Sequence, residues 1–340
     1  MKNKISSQIM FYFNIIVFNI NFANITYSSL LMNNDAQYSW LIPLFCILLF
    51  TFIIIFFKKK PIDYQNIKNT LIYKFIIFFY TTCSLALIIY FTSLILTGWF
   101  YEQSSIFLFI VGSSIIVLSL ALFKTTSIIR VGFFWAIGYI IIALIGITIR
   151  NETNIMLLFP ISLKYHSFII NIFYLIIPLD NLLYLFIENP ENNYVEKKAL
   201  YISGIIILLF CSFQLITNLT LVNYKFYEGL SAPTITTFFM YYSKNHIGHY
   251  DIILIINILT TLFYKGAMYG NFALQVFPKK KRALMVPFLS IIVIIMAIEI
   301  IYFNQFKFLI SYINLALILC LYLIIIFYQR RDNREKNTKL

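Results

Sequence analysis

Apolar stretches of roughly twenty residues recur along the whole chain and are separated by charged residues and turn formers. Each stretch is long enough to cross the hydrocarbon core of a bilayer as an α-helix. Breaking the sequence at charges and turn residues predicts ten helices, at about 9–31, 38–57, 72–98, 105–123, 132–149, 167–187, 200–222, 250–277, 283–303 and 308–327. The expected fold class is an all-α integral membrane protein with ten transmembrane helices.

Composition agrees with this interpretation, because 61% of the residues are hydrophobic and only 11% are charged. The longest stretch between predicted helices, about 223–249, is too short for a separate soluble domain. Lys2 and Lys4 precede the first apolar run, as in a signal peptide, but no Ala-x-Ala-like site follows, so this run is interpreted as a span. We expect one transmembrane domain over residues 1–328 and a frayed, charged cytoplasmic tail over 329–340.

Basic residues are distributed unevenly between the two sides of the predicted helices. With the N-terminus inside, most of the 26 Lys and Arg residues lie in cytoplasmic segments, including the clusters at 58–60 and 279–282. The positive-inside rule then predicts that both termini are cytoplasmic. Topology and contact with anionic lipid in the bilayer explain the net charge of +13, so no nucleic-acid partner is expected.

Polar and helix-breaking residues at membrane depth are the main functional signal, since such residues are tolerated where they face a cavity or a partner. In helix 1, consecutive polar residues include Thr26, Tyr27 and Ser28, which either line a site or lie at the outer interface. In helix 6, Pro178 removes a backbone hydrogen bond and Asp180 follows near mid-span. This pattern favours a broken helix whose freed backbone groups and carboxylate line a cavity.

Helix 8 carries a lysine beside a Gly-x-x-x-Gly pair, in the stretch "LFYKGAMYGNF". Lys265 lies too near the centre of the span to reach either interface, so it needs an anion, a cage of carbonyl groups or a deprotonated state. Asp180 is the only other ionisable group expected at similar depth and is therefore its natural counter-charge. Gly266 and Gly270 predict close approach of another helix.

The sequence offers little for catalysis or for a cofactor. It contains no phosphate-binding loop, no Gly-x-Gly-x-x-Gly and no Gly-x-Ser-x-Gly. His246 and His249 are suitably spaced for a metal but have no third ligand nearby, and the four cysteines show no pairing pattern. We therefore expect a protein that is not an enzyme and that needs no metal or other cofactor.

The predicted arrangement resembles the amino acid/polyamine/organocation transporter superfamily, with both ends inside and interruptions in helices 1 and 6. Within it, the chain is most similar to the B subunits of bacterial spore germinant receptors, the GerAB-type family. The order and spacing of several stretches support this resemblance: "NNDAQYSWLIPL" (33–44), "LFPI" (158–161), "PLDNLLYLFIENPENN" (178–193), "GLSAPTITTFF" (229–239) and "HYDIILIINILTTLFYKGAMYGNFALQVF" (249–277).

The resemblance implies a LeuT-like fold of two inverted five-helix repeats, about 9–149 and 167–303, with further helix to 327. It also implies a nutrient-sensing subunit in the spore inner membrane that acts with an A-type membrane subunit and a C-type lipoprotein. A proton-coupled amino acid permease of the same fold is the alternative.

The implied ligand site lies between helices 1 and 6, with helices 3 and 8 as its walls. Few polar groups are present there, so a small, partly apolar amino acid fits better than a sugar or a nucleotide. A fixed ammonium on helix 8 would occupy the place where sodium-driven relatives bind an ion. The candidate ligand-binding residues are Thr26, Tyr27, Ser28, Pro178, Leu179, Asp180, Lys265 and Tyr269.

Overall fold

The computed structural model describes residues 16–20, 22–23, 39–56, 70–99, 104–125, 127–128, 130–133, 136–138, 171–185, 197–221, 250–303 and 305–337. Regular structure within these ranges is entirely helical. The expected all-α class is therefore confirmed.

Helical residues occur in every one of the predicted apolar stretches. Helices α1 (16–23) and α5 (125–138) are described only in part. A 3-10 turn, Asn171–Leu175, leads directly into α6, and another, Lys279–Lys281, leads into α9. The remaining helices are α2 (Leu41–Ile55), α3 (Leu71–Trp99), α4 (Ile106–Ala121), α6 (Ile176–Leu185), α7 (Lys197–Leu221), α8 (Tyr250–Gln275), α9 (Arg282–Tyr302) and α10 (Phe306–Asn337).

Three described segments are long and apolar enough to cross a membrane, namely Leu71–Gly98, Lys279–Tyr302 and Phe306–Phe327. Four exposed side chains of α9 are large and apolar, namely Leu284, Phe288, Ile291 and Ile295. These residues recur every three or four positions and so form one stripe along the helix. An exposed apolar stripe on a span-length helix is suited to contact with lipid tails.

Helix α3 lies at the centre of the bundle and contacts α4, α8, α9 and α10. In its most apolar window 78% of the residues are buried, against 22% in the corresponding window of Lys279–Tyr302. A second group packs beside it, in which α2 contacts α7 and the 3-10 turn before α6. Most of the described polar side chains of α3 and α8 are buried within the bundle, among them Thr81, Thr92, Asn257 and Lys265.

The start of α6 differs from the predicted broken helix. Residues 171–185 are continuously helical, and the irregularity is a change from 3-10 to α-helix at Ile176 rather than an unwound gap at Pro178. Pro178 is the third residue of α6, and in the first turn of a helix the missing N–H of proline removes no hydrogen bond within that helix. The proline therefore marks the beginning of an α-helix here.

The C-terminal tail also differs from expectation, because α10 continues through the charged residues to Asn337. The sequence there places opposite charges four residues apart, Arg331 with Glu335 and Asp332 with Lys336. Such spacing supports an isolated helix by a few tenths of a kcal/mol per pair, about 0.2 to 0.5 kcal/mol. The boundary predicted at residue 329 therefore does not end the helix.

The Gly-x-x-x-Gly pair of α8 makes the close helix contact that was predicted. A methyl group built on Gly266 would lie 2.7 Å from Val117 Cγ1 of α4 and 3.3 Å from Ile88 Cγ2 of α3. One built on Gly270 would lie 2.9 Å from Ala121 Cβ of α4. Both glycines are needed for α8 to approach its neighbours this closely, which holds the lysine of α8 inside the bundle.

Candidate functional site

An ion pair between α6 and α8 lies in the interior of the bundle. Lys265 Nζ is 2.7 Å from Asp180 Oδ2, and the two side chains are 0% and 2% exposed. The predicted pairing of these residues is thus confirmed, as a direct contact. Removing two charges from water is costly, and the cost is offset only where their remaining hydrogen-bonding capacity is also satisfied.

Both oxygen atoms of the Asp180 carboxylate accept hydrogen bonds from tyrosines. The Tyr80 hydroxyl of α3 donates to Oδ1 at 2.9 Å, and the Tyr269 hydroxyl of α8 donates to Oδ2 at 2.6 Å. The two tyrosine rings pack edge to face, with centroids 6.2 Å apart. The carboxylate is therefore held by two neutral donors in addition to the lysine.

The ammonium of Lys265 has partners on α1 as well. It donates a hydrogen bond to Asn19 Oδ1, and it lies 5.2 Å from the ring centroids of both Phe22 and Tyr269. Cation–π contacts at this distance are attractive, and more so where water is excluded. Side chains from α1, α3, α6 and α8 thus converge on one buried pair, which we call the Asp180–Lys265 cluster.

Local sequence explains how these groups come together. Asn19 and Phe22 lie three positions apart on α1, and Lys265 and Tyr269 lie four apart on α8, so each pair shares one face of its helix. Phe18 of α1 stacks on Tyr264 of α8 with centroids 3.9 Å apart, which aligns the two faces. Helix α1 passes into a π turn at Ala23, directly after the residues that contact Lys265.

Five of the predicted site residues lie in or beside this cluster. Asp180, Lys265 and Tyr269 form its centre, and Pro178 and Leu179 are buried in the preceding turn of α6. The Leu179 carbonyl oxygen accepts a hydrogen bond from the Tyr322 hydroxyl of α10 at 3.2 Å. The other three predicted residues, Thr26, Tyr27 and Ser28, lie outside the described residues.

Sequence reasoning missed Tyr80, Asn19 and Phe22. The available signal for Tyr80 was the polar run "YTTCS" in α3, where Tyr80 and the next four residues are all buried. Asn, Tyr and Phe are abundant throughout this chain, so no single one of them was distinctive by type. Their roles depend on which helix faces meet, and a single sequence does not specify that.

Metal chemistry has no evident ligand set in the part of the chain that the structure describes. No group of three or more His, Cys, Asp or Glu side chains comes together there. The two histidines with metal-ligand spacing, His246 and His249, lie outside the described residues. The described site offers one carboxylate, one ammonium and two phenol hydroxyls, which suit hydrogen bonding and charge pairing with a small molecule.

We expect Tyr80→Phe to lower the free energy of unfolding by about 1.5 to 3 kcal/mol, because it removes a hydrogen bond to a buried charged group. The measurement is equilibrium unfolding in mixed micelles. Tyr90→Phe is the matched control, since Tyr90 lies on the same helix, is half-buried and makes no hydrogen bond through its hydroxyl to any described residue. Equal losses in the two variants would show that the Tyr80 hydroxyl does not stabilise the cluster.

Comparisons with protein-family models and with curated protein sequences give no match to this chain.

Proposed function

We propose that this chain is a non-enzymatic ten-helix membrane protein that binds a small, partly apolar amino acid near mid-membrane. The observation that carries the proposal is the Asp180–Lys265 cluster, built by α1, α3, α6 and α8. The family resemblance implies a ligand site between these same four helices. An ionisable pair at membrane depth is costly, so its presence there supports a functional role over a purely structural one.

The polar content of the cluster supports an amino acid as the ligand class. One carboxylate and one ammonium lie 2.7 Å apart and are surrounded by Tyr80, Tyr269 and Phe22. A binding site of this kind is mainly apolar, with a few convergent polar groups that orient the ligand. A sugar or a nucleotide would need many more hydrogen-bonding partners than the described residues provide.

Within the family that the sequence resembles, the proposed role is that of the B subunit of a spore germinant receptor. Its fold is then the LeuT-like pair of inverted repeats, and both termini face the cytoplasm. Its proposed partners are an A-type membrane subunit and a C-type lipoprotein in the spore inner membrane. The basic clusters at 58–60 and 279–282 support this orientation.

Sodium has no part in the proposed function. The Lys265 ammonium bonds to Asn19 of α1 and to Asp180 of α6, so a fixed positive charge already links α8 with both helices. In sodium-driven transporters of the same architecture, a bound sodium ion is expected to link these helices. Ligand binding should therefore be the same in sodium and in potassium buffers.

A proton-coupled permease is the second candidate. The buried carboxylate of Asp180 favours this candidate. The hydroxyls of Tyr80 and Tyr269 donate hydrogen bonds to that carboxylate and are suited to relay a proton to it. Intramembrane carboxylates serve as proton relays in transporters. A receptor subunit and a permease differ in whether the bound ligand accumulates across the membrane.

The test uses the purified protein in proteoliposomes with radiolabelled L-amino acids and an imposed inward proton gradient. We expect saturable binding of at least one amino acid, no accumulation above equilibrium, and no difference between sodium and potassium. The variant Gly112→Ala is the control for a substitution away from the site and should bind as wild type does, because a methyl group at Gly112 meets no atom within 4 Å. Proton-driven accumulation would assign the permease instead, and a lack of binding to every amino acid would contradict both candidates.

A further inference from the structure

We infer that the Asp180–Lys265 pair is an exchangeable latch that a zwitterionic ligand opens by replacing each partner. The ligand's ammonium would pair with Asp180 and its carboxylate with Lys265. This inference rests on the proposed function in one respect, the entry of an amino acid into this site, and it goes further by naming the residues that the two charged ends contact.

The closed pair is balanced in charge. In the described part of the cluster Asp180 is the one acidic side chain and Lys265 the one basic side chain, so the pair carries no net charge. A ligand with one charge would leave either the carboxylate or the ammonium without a counter-charge in a site that excludes water. A zwitterion brings one charge of each sign, so the site stays neutral throughout the exchange.

Each partner keeps its other contacts when the pair opens. Asp180 retains the hydroxyls of Tyr80 and Tyr269, and Lys265 retains Asn19 and the rings of Phe22 and Tyr269. The contact that has to be given up is the one between Lys265 Nζ and Asp180 Oδ2. Both charged groups therefore stay oriented for a ligand that inserts between them.

When the pair opens, Lys265 moves and Asp180 stays in place. Asp180 has a short side chain fixed at both oxygens, whereas Lys265 has four methylene groups and a freely rotating ammonium. The ammonium and carboxylate of an α-amino acid are on the same carbon atom, so a bound ligand would complete a compact ring of alternating charges. We expect the Lys265 ammonium to turn away from Asp180 about its side-chain bonds while it stays hydrogen-bonded to Asn19.

Opening the latch has a structural consequence. The pair joins α6 to α8, and the Asn19 contact joins α8 to α1. When a ligand separates Lys265 from Asp180, the spacing of these three helices changes at their common point. This change is the signal that a receptor subunit could pass to its partners.

The test compares L-alanine with its two singly charged analogues, ethylammonium and propionate, by thermal unfolding of the purified protein in nanodiscs. We expect wild type to be stabilised by L-alanine and by neither analogue. Lys265→Ala should gain a response to ethylammonium, and Asp180→Ala to propionate, each at concentrations that leave the unfolding temperature of wild type unchanged. Gly112→Ala should respond as wild type does.

Each variant is extracted both with and without its complementary ion, so that a poorly folding variant still gives a result. Recovery of folded protein only with the complementary ion supports the latch, and failure of that ion to improve recovery or stability contradicts it. Equal stabilisation of wild type by L-alanine and propionate also contradicts it. Complementation without amino acid binding to wild type would indicate a structural ion pair only and would contradict both the latch and the proposed function, whereas amino acid binding without complementation would contradict the latch alone.

Discussion

Gly270→Ala is expected to lower the free energy of unfolding by about 1 to 3 kcal/mol, as overpacking of a close contact does. The added methyl group would lie 2.9 Å from Ala121 Cβ and 3.2 Å from Leu118 Cδ2 of α4. Ala121 Cβ is attached directly to the backbone and cannot rotate away, so α4 and α8 would have to separate. The loss is measured by equilibrium unfolding in mixed micelles.

Two further variants make this prediction specific. Ala121→Gly removes the opposing methyl group, so the double variant with Gly270→Ala should regain most of the lost stability. Gly112→Ala, on α4 itself, should be nearly neutral because a methyl group there meets nothing within 4 Å. Equal effects of Gly270→Ala and Gly112→Ala would show that the two helices are not in close contact at residue 270.

The helices and the central ion pair were predictable because each depends on a strong physical constraint. Apolar stretches of about twenty residues leave little choice but a helix, since backbone groups in lipid need internal hydrogen bonds. Lys265 and Asp180 are ionisable residues in such stretches, and burial of either alone would be costly. Their pairing at 2.7 Å follows from that cost.

Finer features of the fold depend on backbone geometry that composition does not specify. Pro178 is compatible both with an interrupted helix and with the first turn of a new one, and α6 takes the second form. The charged end of α10 was predicted to fray, but its alternating charges are also compatible with the observed helix to Asn337. In both places one sequence pattern fits two structures.

The neutral members of the cluster were the hardest to predict. Tyrosine and asparagine occur at many positions here, and a tyrosine in a membrane helix is as consistent with an interface as with a buried hydrogen bond. Tyr80 and Asn19 become functional candidates only because α3 and α1 face the pair. Which helix faces meet the pair is determined by tertiary packing.

The second large effect is expected from separating the charges of the central pair. Lys265→Met leaves the Asp180 carboxylate without a positive partner, and Asp180→Asn leaves the Lys265 ammonium without a negative one, at 2% and 0% exposure. Loss of one member of a buried pair costs about 3 to 5 kcal/mol. We therefore expect each variant to accumulate poorly in the membrane and to lose its ligand response.

The central claim is that Asp180 and Lys265 act as one neutral unit. The most direct test is their coupling free energy, measured in a double-mutant cycle of equilibrium unfolding. We predict that the double variant Lys265→Met/Asp180→Asn is more stable than either single variant, with a coupling of about 2 to 3 kcal/mol. Losses that add to within about 0.5 kcal/mol would contradict the account, because residues that add in this way do not interact.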